Sequence, residues 1–436
     1  MGAASRGTYV VLDDDPTGVQ TLAGIRVLLG WDGGRVREAL RDRTAVHLIT
    51  NTRALAPERV QPTIEDATRA AIAGAPGARV VLRGDSTLRG HLLEEYLGVR
   101  NILGGQAWPV LLLVPALPSA GRVTIGGVHV FERDGIRTPL HETEYARDGV
   151  FAYRSARLLE WAEERSGGLF RASAGAELSL DALRSGGEAA VARGLTALSD
   201  SGEPAVFVSD AETDGDLELV AAGFDAAVER GAGVIVRCAP AFAGVLAKTT
   251  ASARAPLPAR GDGVLVVCGS YVAQTTRQLR RLLDEFPGSL AEADVVALAG
   301  SQASTEVARL VAEASSRLGA GGLAVLATSR ARPESATSLE MGERIALNLA
   351  RVVTGLDPRP SVVVAKGGIT SAVTLRDGVG ADEAEVLGPV EPGVSRWAVR
   401  WPGGGSLDYL VVPGNVGDDD LLVRLVGSIV RGSPAC

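Results

Sequence analysis

Short runs of β-branched and aliphatic residues alternate along the chain with longer stretches whose apolar positions recur every three to four residues. Residues 9–12, 45–50, 79–83, 110–114, 205–208 and 233–237 read as buried strands. Residues 57–73, 92–101 and 216–230 read as helices between them. Strands that are apolar at nearly every position belong to parallel sheets covered on both faces, so the alternation predicts an α/β fold. The segment 249–263 is rich in Ala, Pro, Arg and Gly, has no periodicity, and reads as a linker. A second series follows, with strands expected at 264–268, 295–299, 323–327, 361–365 and 410–412 and helices at 274–285, 304–318 and 338–353. The expectation is two domains, 1–248 and 263–436, joined by a linker 249–262, each a mainly parallel sheet flanked by helices. The stretch 138–154 is polar and aromatic, and reads as a long excursion from the first domain.

A chain of 436 residues exceeds one ordinary hydrophobic core, which agrees with two domains. Hydrophobic residues at 46% and charged residues at 22% describe a globular protein. A net charge of -8 with no basic run argues against a nucleic-acid partner. No apolar run is long enough to span a bilayer, and no signal peptide is evident, so the expected location is cytoplasmic. Cys238, Cys268 and Cys436 are too few and too scattered for a disulfide framework or a CxxC metal site; the first two follow apolar runs and are expected in the core. His47, His91, His129 and His141 lack zinc-ligand spacing. Of 44 basic residues only Lys248 and Lys366 are lysines, which draws attention to the one set among glycines.

In open parallel sheets ligands bind beyond the carboxyl ends of the strands. The first strand runs into Asp13-Asp14-Asp15-Pro16-Thr17-Gly18. Adjacent carboxylates repel one another, and a strand-helix turn does not need them. Such a turn can ligate Mg²⁺, bind polyol hydroxyls or supply a base; a solvated acidic turn is the plainer alternative. The third strand ends in Arg83-Gly84-Asp85-Ser86-Thr87-Leu88-Arg89-Gly90-His91. An arginine fork can hold the carboxylate of a polyhydroxy acid while Asp85 accepts from its hydroxyls. The alternative there is a surface ion pair between Asp85 and Arg89. In the second half, three strands lead into Gly269-Ser270 with Thr275-Thr276 opening a helix, into Lys366-Gly367-Gly368-Ile369-Thr370-Ser371, and into Pro413-Gly414-Asn415-Val416-Gly417-Asp418. Three strand–glycine–helix junctions in one sheet offer backbone amides to phosphates. None is a P-loop or a Rossmann fingerprint.

Taken in order, these motifs resemble those of the four-carbon acid sugar kinases. Asp14-Asp15-Pro16-Thr17-Gly18 is similar to that family's Asp-Asp-x-Thr-Gly, and Asp85-Ser86-Thr87-Leu88-Arg89-Gly90 to its Asp-Ser-Thr-Leu-Arg-Gly. Gly121-Arg122-x-Thr124, Thr143-Glu144, Gly269-Ser270, Thr275, Gly367-Gly368-x-Thr370 and Gly414-Asn415-x-Gly417 also fit. The resemblance spans nearly the whole chain. It implies an amino-terminal sugar-acid domain, a carboxy-terminal ATP domain, an active site in the cleft between them, and transfer of the γ-phosphate to the terminal hydroxyl of threonate, erythronate or a 3-oxo-tetronate. The acid is then expected on Asp14, Thr17, Arg83, Asp85, Ser86, Arg89 and Arg122. ATP is expected on Gly269, Ser270, Thr275, Gly367, Gly368, Thr370, Gly414, Asn415 and Gly417, with Asp15 or Asp418 as candidate Mg²⁺ ligands. Asp14, Asp15 and Lys366 are the catalytic candidates. The chain departs from the family at Val272, where a hydroxyl residue is common, at Ile369, where Asp is common, and at Val412-Pro413, where a lysine is common. Lys366 is expected to replace that lost charge.

Two other readings stay open at this point. Asp13-x-Asp15-x-Thr17 after an apolar strand also suits a haloacid-dehalogenase-like phosphatase with Asp13 as nucleophile, Ile49-Thr50-Asn51 as its second motif and Gly417-Asp418-Asp419-Asp420 as its metal motif. A relative that binds sugar acid and nucleotide without turnover is the other. A small-molecule acid is the expected partner, and a homodimer is the assembly to be tested.

Overall fold

The computed structural model describes residues 7–19, 22–104, 107–249, 254–259, 261–330 and 339–432. Residues 250–253 and 260 of the expected linker, Ser338 and Cys436 lie outside that set. The chain divides into two compact units. One comprises Met1–Asp14 and Trp31–Thr250, the other Asp15–Gly30 and Ala251–Cys436. A short piece of the amino-terminal region therefore belongs with the carboxy-terminal unit.

In chain order the first eleven strands are β1 (Tyr9–Asp13), β2 (Ile25–Leu28), β3 (Ala45–Ile49), β4 (Arg79–Arg83), β5 (Val110–Val114), β6 (Arg122–Ile125), β7 (Val128–Arg133), β8 (Ile136–Pro139), β9 (Ala176–Leu178), β10 (Val206–Ser209) and β11 (Val234–Cys238). In the first unit seven of them form a parallel sheet in the order β3-β1-β4-β11-β5-β10-β9. Strands β1, β3 and β5 are buried at every residue, and β4 and β11 at all but their first, as the unbroken apolar runs require. The helices Leu180–Ser201, Asp214–Glu229 and Pro240–Ala247 cover one face, packing Leu195, Phe224 and Phe242 with Val11, Val81 and Leu112. The expected excursion lies just after a small antiparallel sheet, β6-β7-β8, and begins within its last strand.

The second unit contains β12 (Val264–Cys268), β13 (Leu290–Ala293), β14 (Leu323–Thr328), β15 (Val362–Lys366), β16 (Glu383–Glu391), β17 (Val394–Arg400) and β18 (Ser406–Val412). Its order is β13-β14-β12-β15-β18-β17-β16-β2. The first five are parallel. β17, β16 and β2 extend the sheet in antiparallel fashion, with Glu383–Val386 of β16 paired to β2. The core joins Val266 and Val364 of the sheet to Leu279 and Leu282 of the helix Ala273–Glu285 and to Leu425 and Ile429 of the helix Leu421–Arg431.

One expected strand is corrected. Residues Val295–Ala299 form a short helix, and the strand is β13 just before it. Asp294 caps that helix, its carboxylate accepting from the amides of Val296 and Ala297. Val295, Leu298 and Ala299 face inward while Val296 is 62% exposed, which is helical spacing hidden in an apolar run too short to show it.

Candidate functional site

The acidic turn after β1 is buried: Asp13, Asp14 and Asp15 are 0%, 1% and 7% exposed. That rules out a solvated turn. Both oxygens of Asp13 are engaged, one by His47 Nδ1 at 2.7 Å and one by Arg83 Nε at 2.6 Å. Its main-chain carbonyl accepts from Thr50 Oγ1. Burial opposes the charge on Asp13, but Arg83 and then His47 outweigh it and hold the carboxyl below its usual range. A carboxylate locked in this way is a structural anchor and a poor nucleophile, which removes the main support for the phosphatase reading. Thr50, offered there as part of a second motif, instead ties β3 to β1. Asp418, the metal residue of that reading, belongs to the other unit.

Asp14 is gripped by Arg53, with Nε 2.9 Å from Oδ2 and Nη2 2.7 Å from Oδ1, and by Arg83 Nη1 at 3.2 Å. Behind it Glu95 accepts from Thr52 Oγ1 and from Arg237 Nε at 3.2 Å. Glu95 and Arg237 are almost fully buried. Burial raises the Glu95 carboxyl in spite of Arg237, and the charge of Asp14 pushes the same way. Arg237 Nη2 reaches the carbonyl of Arg89, which links this network to the next loop.

Asp85 and Arg89 pair at 2.6 Å, and Thr87 Oγ1 also donates to Asp85. The pair is not a surface bridge, since the two side chains are only 12% and 27% exposed. Burial would raise the Asp85 carboxyl, but Arg89 and Arg53 overcome it and bring it far below the ordinary carboxylate range. Leu88, fully buried on the same loop, adopts φ +67°, a conformation that a branched side chain tolerates only where its surroundings impose it. Two groups hold the loop from outside. Tyr153 donates to the carbonyl of Thr87 at 3.0 Å. His129 donates from Nε2 to the carbonyl of Ser86 at 2.9 Å, which leaves Nδ1 to accept from Thr124 Oγ1 at 3.1 Å. Burial pushes the His129 pKa down to about 4, so the ring is neutral at pH 7. Arg122, at the start of β6, lies 5.6 Å from the ring centre of Tyr145, and Arg89 lies 5.9 Å from the same ring. Ser86 and Thr87 are buried. Thr17 falls in the turn Pro16–Val19, and its side chain is not among those described.

In the second unit the three glycine junctions follow β12, β15 and β18, which are neighbours in the sheet, so they emerge side by side. They are packed too closely for side chains. A Cβ on Gly269 would stand 2.6 Å from Thr370 Oγ1, and one on Gly414 would stand 2.8 Å from Ser270 Oγ. Gly368 opens the helix Gly368–Val373, and a Cβ there would overlap the Asp15 carboxylate. The turn Pro16–Val19 lies against this same helix. The triplet of carboxylates is thus divided: Asp13 and Asp14 belong to the first unit, and Asp15 belongs to the second, beside the central junction.

Lys366 ends β15 and is fully buried. Nζ donates to the carbonyls of Pro413 at 2.7 Å and Val416 at 3.3 Å. Burial lowers its pKa to about 8. Thr275 Oγ1 donates to the carbonyl of Gly414 at 3.0 Å. Asn415 and Gly417 are exposed on the same loop. Asp418 is exposed and accepts from Arg424 Nη1 at 2.8 Å. Val272 and Ile369, the two apolar departures, stand 45% and 41% exposed at their junctions. Cys238 and Cys268 are buried free thiols, and burial pushes Cys268 up to about 11. Among the described residues no group of three or more His, Cys, Asp or Glu is placed to hold a metal ion. A magnesium ion carried by a nucleotide needs only one or two carboxylates, and Asp15 at the glycine junction fits that requirement.

The sequence reading did not single out His47, Arg53, Glu95, His129, Arg237 or Gln278. Two of these left a trace, since His47 and Arg237 are polar residues inside otherwise apolar strands. A charge on a buried strand must find a partner.

Family models describe the two halves as a sugar-binding N-terminal domain over residues 9–246 and a nucleotide-binding C-terminal domain over residues 265–422. The chain is 28% identical to D-erythronate kinase of Heliobacterium modesticaldum over 296 residues, 66% of this chain and 63% of that one. It is 28% identical to D-threonate kinase of Salmonella typhimurium over 362 residues, 81% of this chain and 79% of that one. The solved structure of Haemophilus influenzae protein HI1011 has the same fold, with a TM-score of 0.62 at 15% identity over 96% of this chain and all of that one. No helix among the described residues is long and apolar enough to cross a membrane. With both domain models matched in order across most of its length, this chain belongs to the four-carbon acid sugar kinase family.

Proposed function

We propose that the protein is an ATP-dependent kinase that phosphorylates the terminal hydroxyl of a four-carbon sugar acid of the threonate, erythronate or 3-oxo-tetronate type. The observation that carries this reading is the set of three glycine junctions, side by side at the carboxyl ends of β12, β15 and β18. Adjacent backbone amides at that edge suit a polyphosphate. The relatives named as erythronate and threonate kinases support the acceptor class.

On this reading Arg89 and Arg122 hold the acid's carboxylate, flanking the Tyr145 ring, while Asp85 and Ser86 accept from and orient its hydroxyls. Asp14, held by Arg53 and Arg83, sets the terminal hydroxyl. Asp15, beside Gly368, is the Mg²⁺ ligand on the phosphate side. The bound Mg-ATP supplies the phosphoryl group and a cation that neutralises its charge. The acceptor oxygen bonds to the γ-phosphorus as the bond to the β,γ-bridging oxygen breaks, and ADP leaves. The hydroxyl proton passes to the carboxylate of Asp14 or Asp15. Such a transition state is loose, so positioning and charge matter more than base strength. Lys366, fixed under the last glycine loop, keeps positive charge at the junction where the family lysine is replaced.

The test mixes the protein with Mg-ATP and a panel of tetronates, follows ADP release, and identifies a phosphate monoester by ³¹P NMR. Hydrolysis of a phosphorylated acid without ATP would favour the phosphatase reading. Binding of both ligands without turnover would favour the inactive relative.

A further inference from the structure

The loop Pro413–Asp418 has its carbonyls held from one side. Lys366 Nζ donates to Pro413 O at 2.7 Å and to Val416 O at 3.3 Å. Thr275 Oγ1 donates to Gly414 O at 3.0 Å. Gln278 Nε2 donates to Val416 O at 2.9 Å and to Asp418 O at 2.6 Å. All three donors are fully buried. Thr275 and Gln278 stand one helical turn apart on the same face of the helix Ala273–Glu285, and Lys366 comes from the adjacent strand end. A loop of this length does not need four pinned carbonyls merely to turn the chain.

The peptide unit is planar and trans, so the N–H of each residue points opposite to the carbonyl before it. With the carbonyls of Pro413, Gly414 and Val416 drawn inward, the amides of Gly414, Asn415 and Gly417 are turned outward. None of these amides makes a hydrogen bond within the described protein. Three outward amides on one short loop present a donor surface that suits an anion.

We infer that Thr275, Gln278 and Lys366 are positioning residues that preset the amides of Gly414, Asn415 and Gly417 as a cradle for a nucleotide phosphate, an inference that rests on reading this unit as the ATP site. Thr275 thereby acts through the loop and not by touching the ligand. Gln278 gains a role that no motif gave it. The inference also accounts for the groups that face these carbonyls: Lys366 Nζ, Thr275 Oγ1 and Gln278 Nε2 all donate to them, while the buried Gln278 Oε1 makes no hydrogen bond among the described residues.

Isosteric variants separate donation from volume. Thr275→Val keeps the shape and removes the donor, Thr275→Ser keeps the donor, and Gln278→Glu replaces two N–H donors with a carboxylate facing two carbonyls. Expected for Thr275→Val and Gln278→Glu is a rise of about tenfold or more in KM for ATP and in the calorimetric Kd for ADP, the consequence of one lost hydrogen bond or more. Thr275→Ser should stay within about twofold of the parent, and KM for the acid should not move in any variant. Thermal melting checks that each variant is folded. A parent that binds ADP while Thr275→Val and Gln278→Glu bind it equally well overturns the inference and leaves the kinase reading standing. A parent that binds neither ATP nor ADP overturns the kinase reading instead. Should both variants fail to fold, hydrogen exchange on the parent decides: ADP must protect the amides of Gly414, Asn415 and Gly417, and absence of protection overturns the inference.

Discussion

Replacing Lys366 with methionine separates the two consequences of burying that amine. Its pKa falls from 10.5 to about 8 because it is enclosed. At about 1.4 kcal/mol per pKa unit, holding the charged amine in the folded protein at pH 7 costs roughly 3 kcal/mol. Methionine has a similar volume and carries no such cost, but it abandons the carbonyls of Pro413 and Val416. Each hydrogen bond from a charged donor contributes about 1.5–3 kcal/mol. The two effects oppose, so at pH 7 the variant should lie within roughly 2 kcal/mol of the parent. The folded pKa lies below the unfolded one. Between pH 8 and 10.5 the unfolded chain therefore holds more protons, and parental stability rises with pH. This contribution is fully present above about pH 10.5 and is lost as pH falls through about 8. Urea unfolding of parent and variant at pH 7 and pH 10 tests this, because the other titrating groups cancel in the comparison. The parent should gain about 2–3 kcal/mol relative to the variant on going to pH 10. A stability difference that is the same at both pH values refutes the reasoning. Turnover should respond differently: kcat/KM for ATP should fall at least ~10²-fold in Lys366→Met, whereas Lys248→Met, at an exposed helix end, should match the parent.

Asp85→Ala and Arg89→Ala should each raise KM for the acid or abolish turnover, as truncating one member of a partly buried charged pair typically costs about 2–5 kcal/mol, while the calorimetric Kd for ADP stays put; unchanged acid kinetics in both would remove these residues from the acid site. Arg83→Met strands the buried carboxylates of Asp13 and Asp14 and should lower stability by about 3–5 kcal/mol in chemical denaturation; a loss below ~1 kcal/mol would show that His47 and Arg53 suffice.

Both sheets were legible because a parallel strand covered on two faces is apolar at nearly every position, as in Val264–Cys268 and Val362–Lys366. The glycine junctions were legible for a related reason, since a strand end that packs against its neighbours admits no Cβ. The short apolar stretch Val295–Ala299 misled because five residues cannot reveal a period, and the deciding residue was the cap, Asp294. The antiparallel strands β16 and β17 were not expected. They alternate buried with more exposed positions, and their register is interrupted twice, between Val386 and Gly388 and between Pro389 and Glu391. The charge network was legible only in part. Asp85 and Arg89 are neighbours in the chain, but Arg237 meets Glu95 from 142 positions away, and pairing at that distance leaves no pattern in a single sequence. The expected role of Lys366 did not include its contacts with Pro413 and Val416, which come from a loop 47 to 50 positions further on.

The pairing of β2 with β16 has a consequence for how the protein is made. Residues Ile25–Leu28 are synthesised early, and their partners Glu383–Val386 come late. At about 5–20 residues per second, roughly 350 intervening residues take on the order of 20–70 s to appear. Ile25 and Val27, which end up fully enclosed, have no sheet partner on β16 during that interval. The first unit can complete its seven-stranded sheet on the ribosome with all of its strands in hand, because none of them lies beyond Cys238. The second unit cannot. A waiting apolar strand with an open edge is a template for misplaced pairing. Chaperone dependence, or slow refolding after dilution from denaturant, should therefore track the late pairing of β2 with β16, and loosening Ile25 or Val27 should lower the yield of folded protein more than it lowers the stability of protein that has already folded.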